Sequence, residues 1–125
     1  MDTNVGILLS DDLIFTSRIT GTASALGLTM KAATSVQNLQ ALAKQVSPRC
    51  VILDLATPGL VIEDLLGALR ENCPGARVVG YGSHVDTATL RRARDAGCDP
   101  VLPRSKFVED LQKELPNWFS DFGTP

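Results

Sequence analysis

The chain has 125 residues, 44% of them hydrophobic and 21% charged, with a formal net charge of -2. That size and balance fit one globular domain with a real core, and the weak acidity excludes a general nucleic-acid binder, which would be basic. No apolar stretch reaches membrane-spanning length, because Asp54 and Glu63-Asp64 interrupt the longest one.

Val5 to Leu9 is a short apolar run that predicts a first strand ending at Ser10-Asp11-Asp12. Phe15, Ile19, Ala23 and Leu26 then recur at helical spacing, with Gly27 as a natural stop. Leu28 to Ala33 predicts a weaker second strand. Thr34-Ser35 offers a cap for a helix whose stripe is Val36, Leu39, Ala43 and Val46, ending at Pro48. A third strand and the helix marked by Ile62, Leu65, Leu66 and Leu69 follow, with Glu63 and Asp64 in that helix's first turn. Arg77 to Tyr81 predicts a fourth strand running into Gly82-Ser83-His84, and Asp86 caps a helix through Ala96. Pro100 to Leu102 predicts a short fifth strand. Ser105 is the expected cap of a last helix with Phe107, Val108, Leu111 and Leu115, which Pro116 should terminate.

Five strand-helix units with short connections predict an α/β fold: a doubly wound five-stranded parallel sheet with helices on both faces. The expected organisation is a single domain over 1–125, with an aromatic tail at 116–125 containing Trp118, Phe119 and Phe122. That tail folds back on the domain or anchors a partner. Cys50, Cys73 and Cys98 are widely spaced and odd in number, so they read as thiols in a reducing compartment. The N-terminus lacks a secretion-signal pattern, which makes the cytoplasm the expected location.

The third strand lies in Cys50 to Gly59, Cys-Val-Ile-Leu-Asp-Leu-Ala-Thr-Pro-Gly. It is apolar and β-branched, as a strand buried on both faces should be, and it carries Asp54 near its carboxyl end. A carboxylate there is costly unless paired or wet. In a parallel sheet every strand-to-helix loop opens at one edge, where ligands bind. That edge gathers Asp11, Asp12, Asp54, Gly82, Ser83 and Arg104 if the first, third, fourth and fifth strands are neighbours. Three converging carboxylates call for a cation, and an all-oxygen site suits Mg²⁺ with room for a phosphoryl group. Arg104 could then pair with that group.

These features together resemble the receiver domain of response regulators, a flavodoxin-like fold, up to about Leu115. The resemblance rests on Asp11-Asp12, Asp54, Pro58 four residues on, Ala96-Gly97 and Leu102-Pro103-Arg104. It implies that Asp54 accepts a phosphoryl group from a phosphohistidine. It also implies that Asp11, Asp12, Asp54 and the Ala56 carbonyl hold Mg²⁺, while Arg104 and Ser83 serve the phosphoryl group. The implied role is a stand-alone signalling domain rather than a classical enzyme. Its partners would be a sensor histidine kinase or phosphotransfer protein and, as a homodimer, a second copy; neither nucleic acid nor membrane is expected.

Four positions depart from the family's pattern. Its Ser/Thr after the fourth strand falls on Gly82, with Ser83 beside it as a stand-in. Its switch aromatic falls on Val101, its Lys on Arg104, and its following Pro on Ser105, so the cis peptide common there is not expected. The alternative is a pseudo-receiver, a protein-interaction module independent of phosphate. A dinucleotide site is disfavoured because Ser10-Asp11-Asp12-Leu13 is not glycine-rich. An aspartate-nucleophile phosphatase lacks its second acid at Ala56, and His84 has no evident partner for nucleophilic catalysis. Arg91, Arg92 and Arg94 read as a solvated helix face.

Overall fold

Strand β1 (Val5–Leu9) is buried along its whole length, as is β3 (Cys50–Asp54). Both are apolar because helices cover the sheet above and below them. The computed structural model describes residues 5–120. The elements alternate as expected: α1 (Leu13–Ala25), β2 (Thr29–Ala33), α2 (Val36–Val46), α3 (Ile62–Asn72), β4 (Arg77–Gly82), α4 (Thr87–Ala96), β5 (Val101–Pro103) and α5 (Arg104–Trp118). All pairings are parallel, in the order β2-β1-β3-β4-β5. The sheet is therefore doubly wound, and β1, β3, β4 and β5 stand side by side.

Two cores result. Ile7, Leu9, Val51 and Leu53 face α2, α3 and α4 through Leu39, Leu65, Leu69 and Leu90. Leu8, Ile52, Val79 and Tyr81 face α1 and α5 through Ile19, Phe107, Leu111 and Trp118. All three cysteines are buried and free. Burial pushes the Cys50 and Cys98 thiols up to about 12, with Arg77 and Arg70 respectively opposing the shift, so both stay protonated.

Ser35 and Asp86 cap their helices as expected, and Asp12 caps α1 in the same way. Asp12, Ser35 and Asp86 accept from Phe15, Asn38 and Thr89 backbone N–H groups at 2.9, 3.1 and 3.2 Å. Elsewhere the boundaries move. Leu28 N–H still closes α1 on Ala23 O at 2.8 Å, so β2 begins at Thr29. Pro100 has no N–H to give the ladder; its carbonyl accepts from Gly80 at 3.0 Å and β5 starts one residue later. The Asp99–Pro100 peptide is cis.

Helix α5 corrects two expectations. Ser105 is not its cap: the helix starts at Arg104, Pro103 precedes it, and no side chain caps it. Pro116 does not end it either, for the helix runs through to Trp118. A proline this near the end removes one N–H, and the chain recovers with Phe119 N–H to Leu115 O at 3.3 Å and Ser120 N–H to Asn117 O at 3.2 Å. Burying Trp118 and Phe119 gains about 1.5–3 kcal/mol each, which offsets the roughly 3 kcal/mol of a mid-helix proline. Trp118 stacks on Phe107 with centroids 5.6 Å apart. Phe119 lies across β1, where a Cβ on Gly6 would meet its Cζ at 2.6 Å. These two aromatics thus fold back on the domain; Phe122 lies outside the described residues.

Candidate functional site

Asp54 ends β3, paired in register with Tyr81 of β4. It is only 4% exposed. Two protein donors hold its carboxylate: Ser10 Oγ donates to Oδ2 at 3.1 Å, and Ala56 N–H donates to Oδ1 at 3.0 Å. Its carbonyl accepts from Thr57 N–H at 3.0 Å and Thr57 Oγ1 at 2.7 Å, which fixes the turn before Pro58.

Ser10 is the hinge of this arrangement. Its hydroxyl gives its one proton to Asp54 and accepts from Asp12 N–H at 3.1 Å. Asp12 is thereby tied to the Asp54 end of the sheet, but its Oδ1 is occupied in capping α1 through Phe15 N–H. Asp11 is exposed beside it. Among the described residues, no group of three or more His, Cys, Asp or Glu side chains is arranged to hold a metal ion. Mg²⁺ is usually held by only one or two carboxylates with water and phosphate oxygens, so Asp12 and Asp54, tied together through Ser10, are the residues that would hold it, with Asp11 exposed beside them. Ala56 meets Asp54 through its amide.

Ser83 is exposed, with its Oγ accepting from Val85 N–H at 3.4 Å. With Ala56, Gly82 and Arg104 it lines a small cleft of about 60 Å³. The exposed Arg104 guanidinium lies 5.8 Å from the Phe15 ring centroid, an attractive cation–π placement. His84 joins Arg104, Ser105 and Phe15 around a wider cleft of about 510 Å³. Gly82 faces away, toward Leu55 and Leu90, and Val101 is buried in the α2–α3–α4 core.

Tyr81 was not singled out by its sequence context, yet it is the largest side chain beside Asp54. It is fully buried, stacked on Phe107 at 4.6 Å and tilted against Phe15 at 4.9 Å. Among the described residues its hydroxyl has no partner with hydrogen-bond geometry. Burial first, then the Asp54 charge, raises its pKa well above 10.0; Ser10 and Arg104 oppose this. Ser10 and Asp54 thus lie close enough to influence the phenol, though neither meets it with hydrogen-bond geometry. Ser10 was also missed, because a serine at a strand end gives no signal by itself.

The rim carries one further feature. Among the described residues the exposed large hydrophobics are Leu13, Ile14, Val61 and Val85, and all four sit on the strand-to-helix side that opens around Asp54.

This architecture recurs in solved structures. A response-regulator signal receiver domain from Bermanella marisrubri superposes with a TM-score of 0.82 at 19% identity, covering 95% of this chain and 100% of that one. The chain has the receiver fold. A CheY-like receiver domain from Methanospirillum hungatei JF-1 gives 0.80 at 14% identity, covering 93% of each chain. The beryllofluoride-activated NtrC4 receiver domain dimer gives 0.75 at 16% identity, covering 92% of this chain and 98% of that one. No family model and no curated protein matches the sequence. The receiver fold of this chain thus brings Asp54, Ser10, Tyr81 and Arg104 to one rim.

Proposed function

We propose that this chain is a receiver domain of two-component signalling that accepts a phosphoryl group on Asp54. The observation that carries the reading is Asp54 itself, held at the carboxyl end of β3 by Ser10 Oγ and Ala56 N–H. Its apolar surround of Leu13, Ile14, Val61 and Val85 supports docking of a histidine kinase or phosphotransfer protein over the rim. An Asp54 oxygen forms the new P–O bond while the P–N bond of a phosphohistidine breaks. The bonding pair returns to the imidazole nitrogen, and a donor protonated on its other ring nitrogen leaves neutral. Arg104 supplies positive charge at the cleft, and the Ala56 amide orients the nucleophile. The cytoplasm is the compartment where such a donor would be met; among the described residues no helix is long and apolar enough to cross a membrane. A homodimer is the further partner this reading allows.

Incubation with acetyl phosphate, with and without Mg²⁺, should add one phosphate to the intact mass, and Asp54→Asn should abolish it. The two buffers also test the cation directly. Label persisting in Asp54→Asn would place the acceptor elsewhere.

A second reading, an interaction module independent of phosphate, is favoured by Gly82 and Val101, which supply neither the hydroxyl nor the aromatic of the family's pattern. It is the better reading if the wild type gains no mass and still captures a partner.

A further inference from the structure

Tyr81 and Asp54 are register partners on adjacent parallel strands. Partnered residues project to the same face about 4.8 Å apart across the strands, here toward α1 and α5. The phenol ring is clamped between Phe15 and Phe107 and has no exposure, so its hydroxyl cannot turn away to bulk water. Among the described residues nothing meets that hydroxyl with hydrogen-bond geometry. A buried donor left unpaired is destabilising, so a group that meets it should exist in some state of the protein. Ser10 and Asp54 lie close enough to influence the phenol, but the Ser10 proton is already given to Asp54 and neither residue meets the hydroxyl with hydrogen-bond geometry. On the other face, Leu55 fills the space beside Gly82, and the nearby Ser83 is exposed with its Oγ accepting from Val85 N–H.

We propose that Tyr81 is the hydroxyl donor to a phosphoryl oxygen on Asp54, taking over from the α1–α5 face the contact that Gly82 lacks. This rests on Asp54 being the acceptor. A phosphoryl group brings three charged oxygens to a carboxylate that already lies beside the phenol, so the well-aligned, charge-assisted contact is made in the modified state. The raised phenol pKa keeps that proton in place across neutral pH. Tyr81 then stabilises the modified form selectively, which is the condition for a residue to couple modification to conformation.

Beryllofluoride, which caps an aspartate carboxylate as a phosphoryl mimic, is the probe. Titration of the wild type in Mg²⁺ buffer, followed by ¹⁹F NMR, should give a saturable adduct that Asp54→Asn loses. Tyr81→Phe keeps the ring stack and removes only the donor. It should weaken the adduct about tenfold or more, since a hydrogen bond to a charged group is worth at least one decade in affinity. The free variant should melt no lower than the wild type, because it loses an unpartnered hydroxyl; a purely structural tyrosine would show the reverse pattern. Tyr81 is the chain's one tyrosine, so ¹³Cζ labelling reports on it alone in the unmutated protein. Its resonance should move on adduct formation. Unchanged affinity in Tyr81→Phe, or a still ¹³Cζ signal in a wild-type adduct, overturns the Tyr81 role and leaves Asp54 standing. A wild type that forms no adduct overturns both.

Discussion

At Gly82 the chain loses a hydroxyl and gains a packing contact. A Cβ built there would meet Leu90 at 3.4 Å and Leu55 at 3.5 Å, and one on Gly80 would meet Leu55 at 3.4 Å. Leu55 therefore lies across two glycines of β4 that have no side chains to oppose it. These are ordinary contacts for one carbon, so Gly82→Ala should be tolerated. The branched γ atoms of Thr need the space Leu55 fills, and overpacking of this kind costs about 1–3 kcal/mol. Trimming Leu55 to Ala should relieve that cost, so Gly82→Thr and Leu55→Ala should couple in a double-mutant cycle by urea unfolding. Strict additivity would show that Leu55 is not what excludes the hydroxyl. Sequence alone reveals the missing Ser/Thr but not its replacement, because Leu55 and Gly82 meet only once β3 and β4 are paired. The same holds for Ser10, Tyr81 and Asp54: each residue is ordinary in its own segment, and only the register makes them a site.

At the scale of elements, the sequence was legible wherever the local signal was self-contained. The alternation of apolar runs with helical stripes is enough to specify a doubly wound parallel sheet, and Asp12, Ser35 and Asp86 act as caps through chemistry written within four residues. Helix α5 is where local rules lose to packing. Pro116 is a stop signal in isolation, but Trp118 and Phe119 bury against Phe107 and Gly6, and those contacts are distant in sequence. Gly6 is equally silent: inside a strand pattern it looks like a weakness, and its reason is the Phe119 ring lying over it. Deleting residues 117–125 should therefore remove about 3–6 kcal/mol of burial and lower the melting temperature by on the order of 10 °C. An unchanged melting curve would mean that the two aromatics contribute no stability where they lie.

Across the whole molecule, the two faces of the sheet are held differently, and this decides where a change at Asp54 can travel. On one face α4 is anchored at three points, two on α3 and one on β5. Arg92 forms a two-point pair with Glu63 of α3 at 2.8 and 3.1 Å, Arg94 donates to Val101 O at 3.1 Å, and Arg70 donates to Ala96 O at 3.0 Å. The Arg92–Glu63 pair is exposed, so it registers α4 against α3 rather than adding much stability. No hydroxyl at Gly82 and no aromatic at Val101 links this face to Asp54. On the other face an aromatic column runs from Phe15 through Tyr81 and Phe107 to Trp118, with centroid spacings of 4.9, 4.6 and 5.6 Å. Packing continuity alone is not coupling; a differential contact at one end is required. The Tyr81 hydroxyl supplies that contact. A beryllofluoride adduct on Asp54 should therefore shift the backbone resonances around Phe107 and the Trp118 indole, and leave Asp86 to Leu102 nearly still. Installing Thr at Gly82 together with Tyr at Val101, with Leu55 trimmed to make room, should extend the response into α4 and β5. Large shifts across Asp86 to Leu102 in the unmodified protein, with Trp118 silent, would mean that the signal leaves Asp54 by the α4 face and that the aromatic column is only core.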